Sequence, residues 1–152
     1  MLACRWLANA INDAREKLDF ELWAYVFMPE HVHLIVWPRR DHYDMAAILR
    51  AIKLPVARRA MQHLERHAPH WLPKVTRRRG KRRERLFWQS GGGYDRNIEE
   101  PGTARAMIEY AHLNPLWRGL VFDPLDWPWS SARWHAGIEE GPIRIDQMED
   151  QL

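Results

Sequence analysis

Residues 20 to 38 read FELWAYVFMPEHVHLIVWP. Two runs of strand length, rich in aromatic and β-branched residues, flank the interruption Met28-Pro29-Glu30. Such residues suit a pleated, half-buried surface. Pro29 cannot donate to a central ladder, so it marks a turn or bulge. The expectation is two adjacent antiparallel strands, 20–27 and 31–37, tightly joined. A two-stranded hairpin is marginal by itself, so the rest of the chain must supply helices to cover it. The second run also carries two imidazoles. Strand side chains alternate faces, so His31 and His33 point the same way and stand roughly 7 Å apart along the strand. Val32 and Leu34 take the other face and are free to pack on helices. With modest ring tilts, the two facing nitrogens would come about 3 to 5 Å apart, close enough to share one divalent ion. Two imidazoles suit several transition metals, and oxygen ligands or water must complete the set. A pair of hydrogen-bonded surface histidines is the plain alternative.

The helices follow from periodicity. Leu2, Trp6, Leu7, Ala10, Ile11, Ala14 and Leu18 recur at helical spacing, predicting a helix over 2–18. Residues 43–54 predict another, bent or ended by Pro55, with a continuation to about His67. Residues 73–90 hold the least regular sequence and read as a basic loop. A further helix starts at Pro101, a residue suited to a first helical position, and stops near Asn114 because Pro115 follows. Residues 116–129 read as a tryptophan-containing loop. Ser130 or Ser131 can cap a short last helix, SARWHA. The organisation expected is one domain over 1–135 and a tail or small strand over 136–152.

Composition excludes several classes. Hydrophobic residues make up 46% of the 152, enough for a packed core rather than a disordered chain. The single cysteine, Cys4, rules out a disulfide scaffold or a Cys-rich zinc site. No apolar run approaches the length of a membrane span, and the opening MLACRWLANAINDAREK has no secretory layout. A cytoplasmic protein without a membrane partner is expected.

On the helix from Pro101, Ala104, Met107, Ile108 and Ala111 form the apolar stripe. Tyr110 and Asn114 flank it on one side, one turn apart, and His112 flanks it on the other. Tyr110 is either a core-boundary residue or a phenol aimed at the sheet edge. Asn114 is either a C-terminal capping amide or an oxygen ligand. His112 is read as structural. The segment Arg77–Arg85, RRRGKRRER, holds seven basic residues and one acid, in a chain whose net charge is only +3. That density points to phosphate contact by Arg77, Arg78, Arg79, Lys81, Arg82, Arg83 and Arg85, with Gly80 giving flexibility. Trp88, close behind, can stack on an unpaired base. The glycines at 91–93 lack the strand-to-helix setting of a nucleotide-binding loop.

Taken together, AYVFMPEHVHLIVWP at 24–38, LRAIK at 49–53, FWQSGGGYDRNI at 87–98, IEYAHLNPLWRGLV at 108–121 and WPWSSAR at 127–133 resemble the IS200-like transposases. These are single-tyrosine HUH nucleases, and the resemblance is nearest to the REP-associated tyrosine transposases. It covers nearly the whole chain, in order. It implies an α+β, ferredoxin-like fold with an antiparallel sheet and packed helices. It implies binding and cutting of single-stranded or hairpin-forming DNA, in DNA transposition and recombination. His31 and His33 match the HUH histidines, Tyr110 the nucleophile of the Tyr-x-x-x-Asn-Pro motif, and Asn114 the third metal ligand. The implied cofactor is Mg²⁺ or Mn²⁺, and a homodimer could supply the tyrosine in trans. The implied intermediate is a 5′-phosphotyrosine; phenols are poor nucleophiles at neutral pH, so the site must assist. If Tyr110 were not the nucleophile, Tyr94 would be next. A hairpin-binding protein that no longer cuts is the alternative. Histidine-triad nucleotide hydrolysis, suggested by HVHLIV, is disfavoured because it needs a third histidine where Ile35 stands. Two departures stand out. The family often has Asn where this chain has Glu30. It also usually opens with a strand, whereas this sequence opens in a helix, so the expectation is a sheet with one open, destabilising edge.

Overall fold

The computed structural model describes residues 2–89 and 96–148; the side chain of Arg79 lies outside that description. The glycines at 91–93 and Tyr94 lie outside the described residues as well. The protein is a mixed α+β fold with antiparallel sheets and packed helices, consistent with a ferredoxin-like arrangement. Two compact units divide the chain, one of Met1–Ala14 with Asp44–Asp95 and one of Arg15–Tyr43 with Arg96–Leu152. No described helix is long and apolar enough to cross a membrane.

The first unit contains most of helix α1 (Leu2–Leu18) and all of α2 (Met45–His67). Asp44 caps α2 by accepting from the Ala46 amide at 2.8 Å. Ile48, Ile52, Val56 and Ala60 recur every four residues as its buried stripe, and the helix continues through Pro55. Trp6 meets His63 edge-on, with ring centroids 5.7 Å apart. Beyond a 3₁₀ turn at Pro69–Val75, the segment expected to be a loop forms a hairpin, β3 (Thr76–Arg79) and β4 (Arg82–Arg85). Periodicity could not reveal it, because its strands carry almost no apolar residues. Gly80 does not loosen this segment. At φ 61° it takes the first central position of a two-residue turn closed by Arg79 opposite Arg82.

The second unit is built on β1 (Phe20–Phe27) paired antiparallel with β2 (Val32–Pro38). All eight residues of β1 are buried. The Met28 amide donates to the His31 carbonyl at 2.9 Å and closes the connecting turn. A bulge lies between Leu22 and Ala24, and there Trp23 stacks on Trp37 at 5.2 Å. Helix α3 (Pro101–Trp117) lies on this hairpin. Its Ala104 and Ile108 pack with Trp23, Ala24 and Ile35, and its Ala111 packs with Val26, Met28 and Trp127. The helix therefore covers the face of β2 that bears Ile35, the histidine face, rather than the face of Val32 and Leu34. Nor does it stop at Asn114. Pro115 is buried inside its last turn, where only one helical bond is lost, and the helix reaches Trp117.

The edge of β1 away from β2 is not open, contrary to expectation. Phe27 donates to the Trp129 carbonyl at 2.8 Å and Ser131 to the Tyr25 carbonyl at 2.9 Å. The Tyr25 amide donates to Ser131 Oγ at 3.0 Å. Further along, Leu22 and Asp146 exchange two bonds, amide to Oδ2 at 2.8 Å and amide to carbonyl at 2.9 Å. Two irregular segments thus satisfy the backbone that a neighbouring strand would otherwise pair. Short helix α4 (Ala132–His135) follows, with Ser130 Oγ accepting from the Ala132 amide at 2.9 Å.

Candidate active site

The packing of α3 decides what the histidines meet. Ile35, His33 and His31 share one face, and Ile35 is fixed against Ala104 and Ile108. Moving back along β2 from Ile35 follows α3 toward its C-terminal turns. There His33 meets the Tyr110 ring edge-on, with centroids 6.5 Å apart. His31 and His33 face each other with Nε2 atoms 3.0 Å apart and ring planes at 87°. The structure therefore brings His31, His33, Tyr110 and Asn114 together within one unit of one chain.

The amide of Asn114 is half committed. Its Nδ2 donates to the Tyr110 carbonyl at 2.8 Å, one turn back, leaving the oxygen as the acceptor on offer. His33 is held below the ordinary imidazole range chiefly by burial, and next by the neighbouring His31; a hydrogen bond with Asn114 opposes both. A neutral ring at physiological pH is the form that can ligate a metal. Tyr110 itself is 56% exposed, so its hydroxyl is reachable from solvent.

Among the described residues, no three His, Cys, Asp or Glu side chains converge to hold a metal. The donor set on offer is two imidazoles and one amide oxygen. It fits a divalent ion: two bonds of about 2.1 Å at a right angle span about 3.0 Å, the cis geometry of an octahedral ion that keeps several waters. Without an ion, the same approach is a hydrogen bond from one imidazole to the other.

Two rim residues were not visible in the sequence. Trp117, 57% exposed, lies edge-on to Tyr110 with ring centroids 5.1 Å apart. Its signal was the seven-residue step from Tyr110, hidden because Pro115 was expected to end the helix. Arg118 donates to Glu30 Oε1 at 2.7 Å. The Glu30 carboxylate, next to His31 in sequence, is thus ion-paired. His112, on the other flank of α3, is buried and bonded to Ser131 Oγ at 2.9 Å. That flank also lines a cavity of about 680 Å³ with Glu109, Trp134 and His135, which contains none of the four site residues. At the histidine–tyrosine cluster, His31 and Tyr110 are exposed, and His33 and Asn114 are half-buried.

In the other unit, Arg77, Arg78, Lys81, Arg82, Arg83 and Arg85 are exposed on the hairpin. Arg85 pairs with Glu65 of α2. Trp88 is half-buried; its indole N–H donates to the Lys53 carbonyl at 2.9 Å, and the Lys53 ammonium lies 6.0 Å from the ring centroid.

No protein-family model matches the chain. A REP-associated tyrosine transposase of Escherichia coli K12 is 26% identical over 144 residues, spanning 95% of this chain and 72% of the relative. A protein of Haemophilus influenzae named as a candidate REP-associated tyrosine transposase is 25% identical over 133 residues, spanning 83% and 70%. A solved structure of a REP-associated tyrosine transposase bound to a REP hairpin superposes with a TM-score of 0.64 at 22% identity, covering 96% of this chain and 76% of that one.

Proposed function

Family-level homology to the IS200-like and REP-associated tyrosine transposases is the premise from which we propose that this protein binds hairpin-forming DNA and cuts and rejoins one strand. The observation that carries the reading is the convergence of His31, His33, Asn114 and Tyr110 at one exposed surface. Tyr110 is the nucleophile. Its oxygen bonds to phosphorus and its proton leaves to solvent. The bond from phosphorus to the 3′ oxygen breaks, and that oxygen departs protonated as a free 3′-OH. A 5′-phosphotyrosine remains, and the 3′-OH can reverse the step and rejoin the strand. His31, His33 and Asn114 would hold Mg²⁺ or Mn²⁺, whose charge supplies neutralisation of the non-bridging phosphate oxygens. Asn114 also ties the turn bearing Tyr110 to the histidine pair. The 6.5 Å approach of the Tyr110 ring to His33 supports action within one chain, without a dimer. The exposed arginines of the hairpin, with Trp88 at its base, contribute the sequence-independent attraction to DNA.

The test is a labelled single strand that folds into a hairpin, incubated with the protein and Mg²⁺ or Mn²⁺. A denaturant-resistant protein–DNA band is expected with the parent and is expected to vanish with Tyr110→Phe, which keeps the ring and its packing. A band that persists in the variant moves the nucleophile elsewhere, with Tyr94 the next candidate. Binding by the parent with no band selects a hairpin-binding protein that does not cut.

A further inference from the structure

The arginine hairpin has a peculiarity that a solvated loop does not need. Across the β3–β4 ladder, Arg78 stands opposite Arg83 and Arg79 opposite Arg82. Like charges directly opposite destabilise a strand pair, and a two-stranded ribbon standing alone is marginal even without them. A loop of the same composition would spread its charges instead. The protein nevertheless holds the ribbon in register. Gly80 supplies the turn, Thr76 Oγ donates to the Leu72 carbonyl at 2.6 Å, and Arg85 is tied to Glu65. The base is anchored and the basic tip projects. Antiparallel partners share a face, so Arg78, Arg83 and Arg85 lie on one face with Thr76, and Arg77, Arg82 and Glu84 lie on the other. The first face carries cations without an acid, and the second mixes cations with a carboxylate. This shape matches a polyanion laid against the Arg78–Arg83 face.

We infer that the β3–β4 ribbon enters the major groove of the duplex stem of a DNA hairpin, with its Arg78–Arg83 face turned to the base edges and the flanking phosphates. The inference rests on the reading of the protein as one that binds hairpin DNA. The dimensions agree. Two strands about 4.8 Å apart with side chains on both faces fill a groove about 12 Å wide and exceed a minor groove of about 6 Å. Four residues per strand extend about 13 Å, the length of about four base pairs. An A-form RNA stem has a deep, narrow major groove that would exclude the ribbon. The two rows of phosphate relieve the repulsion between Arg78 and Arg83. The arginine forks also suit the N7 and O6 of guanine.

The experiment uses the full chain in EDTA, so that cutting is not in play, and measures anisotropy on three labelled oligonucleotides. These are a DNA stem-loop with a single-stranded tail, the tail alone, and the same tail on an RNA stem. The expected result for Arg78→Ala/Arg83→Ala is a loss of about 10- to 50-fold on the DNA stem-loop and a loss smaller by at least about threefold on the other two, where only the general attraction to phosphate is reduced. Dimethyl sulfate should also show guanine N7 protection over about four base pairs of stem in the parent, and none in the variant. Where the alanine pair unfolds the ribbon, Arg78→Lys/Arg83→Lys keeps the charge and loses the fork; protection should still be lost. Equal losses on tail and stem-loop, equal dependence on the RNA stem, or intact protection in both variants overturns the inference alone. A parent that binds none of the three overturns the inference and the hairpin reading together.

Discussion

His31 and His33 extend from a hairpin whose other strand has all eight residues buried. The β3–β4 ribbon has no buried side chain among its described residues. On the proposed function, the difference reflects two tasks. Holding two imidazole nitrogens 3.0 Å apart beside a phenol demands positions fixed to within fractions of an ångström. Only a packed scaffold supplies that, here Ile35 against Ala104 and Ile108. Attracting a polyanion depends first on charge density, which tolerates looser placement and needs exposure. Damage to the first region should therefore act through structure and be abrupt. Damage to the second should be graded and salt-dependent.

The largest contrast should come from Trp23→Ala against Arg83→Ala. Trp23 is buried, stacks on Trp37, and donates its indole N–H to Glu21 at 2.8 Å. Its removal should destabilise the protein by about 3–5 kcal/mol in urea melts and disable any cleavage with it. Arg83→Ala should shift stability by less than about 0.5 kcal/mol, in the stabilising direction because it relieves the pairing with Arg78. Equal losses would mean the ribbon is part of the fold's foundation, and the contrast would fail.

Acid should separate the regions next. His112 is buried between Ser131 and the His135 ring, whose centroid is 5.0 Å away. Burial first, and His135 second, lower its pKa from the usual 6.5 to about 4. Above pH 6.5 the ring is neutral in both folded and unfolded chains, and its contribution is complete. Between pH 6.5 and 4 the unfolded chain takes up a proton that the folded one refuses, so stability falls as the pH falls. The total loss is about 3 kcal/mol and levels off below about pH 4. Melts from pH 7 to 4 should show this slope, and His112→Gln should flatten it. An unchanged slope would place the acid sensitivity elsewhere.

The histidine pair supplies the third contrast. His31→Ala or His33→Ala should lower adduct formation by about 100-fold or more, with stem-loop binding in EDTA changed less than about twofold. Chelation of the parent should have the same effect on the adduct. Arg78→Ala/Arg83→Ala should invert the pattern, weakening binding and flattening its salt dependence while sparing the adduct at saturating DNA. Loss of binding and adduct in parallel for both sets would merge the two regions into one functional element.

These regions also differed in how far the sequence revealed them. The span Phe20–Phe27 was legible to the residue, because aromatic and β-branched runs bounded by Asp19 and Pro29 leave few alternatives. The same-face spacing of His31 and His33 was legible from strand geometry. That α3 would cover that face was not, since Ile35 and Leu34 are equally apolar and the choice is made by tertiary packing. Trp117 was hidden because Pro115 is tolerated where a helix is already ending. The arginine ribbon was illegible for a deeper reason. Strands are recognised by apolar alternation, and a ribbon whose described side chains are almost all charged has none to show. Closure of the β1 edge by Trp129, Ser131 and Asp146 depends on irregular backbone, which leaves no period at all.

The smallest expected effect lies at the rim of the histidine–tyrosine site, where charge and precise position meet. Glu30 and Arg118 are both more than half exposed and joined at 2.7 Å. An exposed pair of this kind contributes about 0.2–1 kcal/mol to stability, so Glu30→Gln should barely move the melting temperature. Its effect on DNA should have the opposite sign. Removing the carboxylate takes one negative charge from beside His31 and releases the Arg118 guanidinium for phosphate. Affinity for a single strand at low salt should rise about two- to fivefold, and the gain should shrink as salt screens the charge. Arg118→Ala should lower affinity by a similar factor. In the double variant the benefit of Glu30→Gln should be halved or less, because the cation it releases is gone. If Glu30→Gln weakens binding instead, the carboxylate holds Arg118 where the strand needs it. The pair would then belong with the packed scaffold of the histidine–tyrosine site rather than with the adjustable charges of the ribbon.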